Sequence, residues 1–341
     1  MKVGALYALL RDRVIDERRT KRSIASTDID VAKYEAEMVA IGVQRRAVDA
    51  YQNWVAAGLK LRAYNDLLQL AEQRRNAISR QVTLGARPTI LLTENDQKVR
   101  RPLVVRSEQD FATANALSLY LRDDAGMPLI VSAERLPADT SALEGLAGAS
   151  KITAPVERPD YRAVLTRIDQ ATARLMLAQN DLKPRLDVSV EVSKDLGPPG
   201  VGGPNRSLTD AVIGFRFSVP LENRAAKGRV AEARAEIEAL DQRSRFLRDQ
   251  ISIEVESIVI SLNAAERLAT IADEERGLAD RLAAAERRRF ELGSGDFFLV
   301  NQREETANDG VRLIDAQARI ASARAELAAA TADRNALQLS R

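Results

Sequence analysis

Histidine and cysteine, the residue types that most often announce chemistry by their spacing, are both absent from this 341-residue chain. Their absence removes thiolate nucleophiles, disulfides, zinc sites built on Cys or His, and the usual general base near neutral pH. Carboxylates remain, and three of them lie in or just after the stretch FELGSGDFFLVN at residues 290–301: Asp296 within it, and Glu304 and Glu305 beyond it. They do not form a pair at the spacing acid–base catalysis needs, and a run of charge on a helix is most simply a solvated face. No catalytic residue, metal ligand or cofactor site is assigned. The stretch therefore poses a structural question: why a helical pattern halts at Leu292–Gly293 and resumes directly afterwards.

The composition narrows the answer. Aromatic residues are 4% of the chain, against 45% hydrophobic and 29% charged, and Ala and Leu supply much of the apolar content. That mix belongs to long helices packed as coiled coils rather than to a conventional large core. With 51 basic and 49 acidic residues the formal charge is +2, which gives no case for nucleic acid or for anionic lipid as a partner. No apolar run is long enough for a transmembrane helix, and MKVGALYALLRDRV lacks the apolar core and cleavage site of a signal peptide.

Two halves carry the same order of parts. Residues 14–84 read as one long helix with Val31, Tyr34, Met38 and Ile41 at three-four spacing; residues 224–292 repeat it with Leu247, Ile251, Val255, Ile258, Leu262 and Ala265. Each ends at Leu-Gly and is followed by a return helix, at about 88–123 and 297–338, so the pattern predicts two long helical hairpins. Gly85 and Gly293 are C-cap glycines at the hairpin tips, Gly295 is read with Gly293 as turning the chain, and Thr89 or Asp296 can open the next helix. No strand precedes the second tip and no GK[ST] follows it, so a phosphate-cradling loop is excluded. Phe297 and Phe298 either pack across the hairpin or are held out for a partner. Pro102 is expected to kink the first return helix and Gly310 to weaken the second. Tyr51 and Trp54 read as seam packing, and the basic run at 11–22 as a surface face.

Three segments alternate as strands: 2–10, 185–193 and 211–219. RLDVSVEVS puts Leu186, Val188, Val190 and Val192 on one face; AVIGFRFSV puts Ala211, Ile213, Phe215, Phe217 and Val219 on one face. Such faces suit a barrel wall and equally a half-buried soluble sheet, and on the strands alone the soluble reading comes first. A Gly/Pro loop, 195–210, separates the second strand from the third. Arg13 and Arg224 lie 211 positions apart (224 − 13) and Gly85 and Gly293 lie 208 apart (293 − 85), so the halves are an internal duplication. The expected organisation is a first repeat at 1–131, a linker at 132–158 with one short helix, and a second repeat at 159–341. The fold class is mainly α with a minor β part, built as two tandem repeats of strands plus long antiparallel coiled-coil hairpins. Too few strands close a sheet, so oligomerisation is expected.

At RPDYRAVLTRIDQATARLMLAQNDLKPRLDVSVEV (158–192), VIGFRFSVPLENRAAKGRVAEARAEIEA (212–239), RRRFELGSGDFFLVNQREETAND (287–309) and the first tip at Leu84–Gly85, the chain resembles the TolC-like outer-membrane efflux proteins. The ordered set runs over nearly the whole chain. The resemblance implies a homotrimer whose subunits donate four strands each to one outer-membrane barrel and their helices to a periplasmic tunnel. It implies an outer-membrane location with a large periplasmic part, surrounded by outer-membrane lipid, and passive passage of small molecules or proteins without catalysis. It also implies a periplasmic adaptor protein and an inner-membrane pump as partners, docked at Leu84, Gly85, Leu292, Gly293 and Ser294. Asp296, Phe297, Phe298 and Glu304 would lie near the closed end of the tunnel, at a pore constriction. The acids that such proteins often carry six and nine positions after the tip glycine are replaced by Leu299 and Gln302. Three strands are visible where four are implied, so a first strand and a signal peptide are expected upstream. A soluble periplasmic coiled-coil scaffold or adaptor is the alternative.

Overall fold

Long runs of strong helix formers without proline give two helices of 67 and 68 residues, and everything else is arranged along them. In this computed structural model, residues 2–98, 101–143, 157–194, 209–219, 221–308 and 310–337 are described. Most of the Gly/Pro loop and the second half of the inter-repeat linker lie outside the described residues. The elements, in order, are β1 (Lys2–Ala8), α1 (Glu17–Thr83), α2 (Ile90–Lys98), α3 (Arg101–Thr113), α4 (Pro159–Asn180), β2 (Arg185–Lys194), β3 (Thr209–Ser218), α5 (Arg224–Glu291), α6 (Phe297–Asn308) and α7 (Val311–Ala330). The three strands and two long helices fall within a few residues of their expected bounds. They contribute to two compact units: Met1–Met38 with Pro155–Gln250, and Val39–Ala154 with Ile251–Arg341.

In the first unit the strands form an antiparallel sheet in the order β1-β2-β3. Two further backbone bonds, Leu9 N–H to the Leu186 carbonyl at 2.8 Å and Arg11 N–H to the Pro184 carbonyl at 3.3 Å, carry the β1-β2 ladder past the strand ends. The chain then turns from strand into helix at Asp12 (φ 66°) and at Asn223 (φ 46°), the only positive-φ non-glycine residues in this unit among those described. These positions are 211 apart, the same offset that relates Arg13 to Arg224. Asp and Asn tolerate the left-handed state better than other side chains, so both halves use one chemical solution for one bend.

α4 begins with Pro159 in its first turn, where a missing N–H costs nothing. It bonds to both long helices: buried Gln170 donates to Thr27 Oγ1 at 2.9 Å and Asp28 Oδ1 at 2.8 Å, and Arg174 pairs with Glu236 at 2.7 Å. Just beyond it, Asp181 accepts from Arg11 at 2.5 Å and Arg229 at 2.8 Å, tying the β1–α1 junction to α5.

The second unit is centred on Trp54, Val55 and Leu59 of α1, with Ile314 of α7, Leu117 from the end of the first repeat, and Leu136 and Leu143 from the segment between the repeats. Phe111 stacks near Trp54 with ring centroids 6.0 Å apart, so Trp54 is seam packing as its spacing implied. Gly58 lets Leu136 settle on α1, since a Cβ there would lie 2.4 Å from a Leu136 methyl. Arg62 clamps the same segment through the carbonyls of Pro137 (2.8 Å) and Leu136 (3.2 Å). The described part of the linker is therefore packed rather than loose, and it carries two 3-10 turns, Ala133–Arg135 and Thr140–Leu143, where one short helix was expected. Burial pushes the Asp49 carboxyl up from its ordinary range, against the pull of Arg45 and a hydrogen bond from Ser322.

The return helices differ from expectation. The first is broken into α2, α3 and a 3-10 turn at Ala114–Leu119, and the second into α6 and α7. Pro102 does not kink a helix interior; it is the second residue of α3, a position that needs no N–H partner. Gly310 likewise is the residue capping the start of α7. Both residues begin helices instead of damaging them.

Candidate functional site

The two Leu-Gly turns close with the same backbone bonds. At the first, Gly85 N–H donates to the Val82 carbonyl at 3.0 Å and Ala86 N–H to the Gln81 carbonyl at 2.9 Å; at the second, Gly293 N–H reaches Phe290 at 2.9 Å and Ser294 N–H reaches Arg289 at 3.0 Å. Each is a Schellman cap with glycine in the left-handed region, φ 69° at Gly85 and 76° at Gly293. Neither glycine has a heavy atom within 4 Å of where a Cβ would lie, so conformation rather than space requires it. The leucine before each glycine is thrown outward: Leu84 is 82% exposed and Leu292 84%. Ser294 adds a side-chain bond, Oγ to the Arg289 carbonyl at 3.2 Å, and is itself exposed.

The tips are joined by an ion pair between Arg87 and Asp296 at 3.5 Å, both largely exposed. In water such a pair contributes little energy, but it fixes which turn faces which. Sequence reasoning did not single out Arg87, although the 208-residue offset aligns it with Gly295. The structure also gives Gly295 a role that spacing could not. A Cβ there would lie 2.5 Å from the Phe290 nitrogen and 2.7 Å from its Cα, both backbone atoms that cannot swing aside. Gly295→Ala is expected to reshape the second tip, speeding amide exchange across 292–300 while leaving the first tip unchanged. Protection equal to the parent chain at both tips would show that the turn absorbs the methyl.

Of the other candidate residues, Asp296 is exposed immediately before α6, and Phe297, Phe298 and Glu304 belong to α6, but their side chains lie outside those described. Glu305 departs from the solvated-face reading of the acidic run: it pairs with Arg74 of α1 at 2.8 Å, with only 4% of Arg74 and 14% of Glu305 exposed. Gln302 is exposed and Leu299 half-buried.

The sheet of the first unit has two chemically different faces. Directly opposed residues in a sheet share a face, and the register pairs Val3 with Val192, Tyr7 with Val188, Val188 with Phe215, Val190 with Ile213 and Leu186 with Phe217. The opposite face carries Asp187, Ser189, Glu191, Asp210 and Arg216, with Leu6 and Val212 the large apolar exceptions among them. The apolar face is not covered: Phe215 is 75% exposed and Phe217 65%, with Val3, Tyr7 and Ile213 exposed as well. A half-buried soluble sheet shows the reverse pattern. Ten residues in β2 and in β3 match the length of a strand tilted across a bilayer.

α5 is apolar on two sides. Ile251, Val255, Ile258 and Ala265 are buried, while Ile253, Ile260, Leu268, Ile271, Leu278 and Leu282 form an exposed stripe on the opposite side at 3.6 residues per turn. Among the described residues no helix is long and apolar enough to cross a membrane.

Comparison with known proteins decides the family. The model of the outer membrane efflux proteins matches residues 153–339, more than half of the chain. The chain belongs to the outer membrane efflux protein family. Solved structures share the fold. A membrane protein from Pseudomonas aeruginosa superimposes with a TM-score of 0.68 at 15% identity, covering 97% of this chain and 82% of that one. The CmeC outer membrane channel of Campylobacter jejuni gives 0.64 at 13%, covering 97% and 70%. The open-state MtrE outer membrane channel of Neisseria gonorrhoeae gives 0.62 at 14%, covering 97% and 79%. No curated protein sequence matches the chain. Within the efflux protein family the architecture is that of a channel protomer, mainly helical with one small sheet. The family is one of conduits rather than of enzymes.

Proposed function

We propose that the chain is a subunit of an outer-membrane channel, a homotrimeric passive conduit that carries small molecules or proteins across the periplasm and outer membrane in a tripartite efflux or type I secretion system. The uncovered apolar face of the sheet carries this reading. In water that face would be an aggregation surface, whereas in a barrel wall it is the lipid contact. The second apolar stripe of α5 supports self-association, because a coiled-coil seam left exposed on one protomer is what another copy covers.

Leu84, Gly85, Leu292, Gly293 and Ser294 are the proposed contact with a periplasmic adaptor, which links the channel to an inner-membrane pump. Their support is the paired geometry of two capped turns holding two leucines into solvent. Asp296, Phe297, Phe298 and Glu304, which follow the second tip, are the proposed constriction. No chemical step is assigned to the chain, and the direction of transport and choice of cargo rest with the pump.

The test is to fractionate the envelope of cells making the protein and to size the detergent-extracted product. A trimer in the outer-membrane fraction supports the channel. A soluble monomer or dimer in the periplasm would leave the scaffold reading in its place.

A further inference from the structure

Where the sheet ends and the helices begin, the first unit contains a cavity of about 620 Å3 whose lining includes Leu9, Leu10, Val14 and Met176 together with Arg13 and Lys183. Alternation along β1 puts Leu9 on the same face as Val3 and Tyr7, and its backbone bond to Leu186 keeps it in the ladder. The cavity therefore continues the apolar face of the sheet downward and then ends in two cations. Leu10, Val14 and Met176 are exposed apolar side chains, so the opening is greasy as well as basic.

The charges at this junction are unequal in their partners. Asp181 is taken by Arg11 and Arg229, Asp12 by Asn180 and Arg11, and Asp16 by Arg19. Among the described residues neither Arg13 nor Lys183 has an acidic partner, and both are exposed at the rim. Two unpaired cations at the edge of an apolar recess, in register with a lipid-facing sheet, match one kind of molecule: an amphiphile with a negatively charged head.

We propose that this cavity binds an anionic glycerophospholipid, its phosphate held by Arg13 and Lys183 and the upper part of an acyl chain lying over Leu9, Val14 and Met176. The proposal rests on the reading of the apolar face as lipid contact and adds a specific headgroup site to it. A net-negative headgroup is required because a zwitterionic one would bring its own cation toward Arg13 and Lys183. Each basic side chain near a membrane surface strengthens anionic lipid binding severalfold, and two act together. Bound lipid would tether the strand-to-helix junction at a fixed depth in the bilayer.

The experiment is native mass spectrometry of the full chain, purified in detergent and incubated with equal amounts of phosphatidylglycerol and phosphatidylcholine of the same acyl composition. The parent chain is expected to retain phosphatidylglycerol in preference. The double variant Arg13→Gln/Lys183→Gln should lose that preference by about tenfold or more, and Met176→Trp, which fills the recess, should lose retention of both lipids. Both variants should still float with vesicles of the same lipids. Equal phosphatidylglycerol retention in the double variant would overturn the site while leaving the channel reading intact; failure of the parent chain to float would count against the channel reading itself. Binding of inorganic phosphate by the parent chain with no preference for phosphatidylglycerol over phosphatidylcholine would overturn the proposal in favour of a bare phosphate site. A changed oligomeric state in Met176→Trp, with lipid retention unchanged, would show that a second copy of the chain covers the recess.

Discussion

Arginine in place of Phe215 and Phe217 should remove the chain from the outer-membrane fraction. Both side chains stand on the uncovered face of β3, opposite Val188 and Leu186 of β2. In a bilayer each substitution sets a guanidinium among acyl chains, at about 2–4 kcal/mol near the midplane and less toward either surface. Two together, at about 4–8 kcal/mol, are comparable with the whole stability of a typical folded protein. The control lies three residues along β2 from Val188. Glu191 is exposed on the opposite, polar face of β2, where Glu191→Arg should leave membrane recovery unchanged. In a soluble scaffold the same arginines would meet water and be tolerated, so recovery of Phe215→Arg/Phe217→Arg in the same fraction and yield as the parent chain would defeat the channel. The asymmetry between faces is the informative part, because general misfolding would not respect it.

The second large effect is expected at Arg74. Its guanidinium reaches Glu305 from α1 to α6 with almost no solvent on either group. Burying two charges is costly, and their mutual attraction offsets that cost only while both are present. Arg74→Leu removes the buried cation that faces the Glu305 carboxylate and should destabilise the protein by about 3–5 kcal/mol, seen as a lowered thermal midpoint of the detergent-solubilised protein. Arg74→Leu/Glu305→Leu should recover most of that loss, since two apolar side chains can fill the same space without a desolvated charge. The Arg74 Nε is itself buried without a hydrogen-bond partner, so the pair is not an optimised one. If the double variant is as unstable as the single, the arginine contributes through packing and not through its charge.

What the sequence disclosed, and what it withheld, follows from the range of the interactions involved. The long helices were legible because Ile41, Val255 and Ile258 recur at local spacing and are buried where that spacing puts them. The strands were legible for the same reason, with a period of two. The tips were legible because a left-handed residue after a helix nearly demands glycine. The breaks in the return helices were not, since Pro102 and Gly310 were weighed as penalties inside a helix when each can equally start one. Glu305 read as one charge in a solvated run because its partner lies 231 positions away. Gly295 read as a turn residue because a clash with backbone is invisible until the turn is built. Arg13 read as part of a basic surface run and Lys183 was not singled out, because only the fold brings them to one recess.

If the two capped turns are the proposed adaptor contact, their construction has a further consequence for how that partner is met. Each tip is closed by its own backbone bonds, and its glycine touches nothing, so the turn keeps its shape without help from neighbours. Association then requires no loop to be ordered; it immobilises little beyond the side chains of Leu84 and Leu292, at about 0.5–1.5 kcal/mol each. A contact with so small an entropic toll can be shallow and still form, and it can let go quickly. Assembly and release at these tips should therefore be governed by how many tips are engaged at once, as multivalent attachment is, rather than by the strength of any single leucine in its pocket.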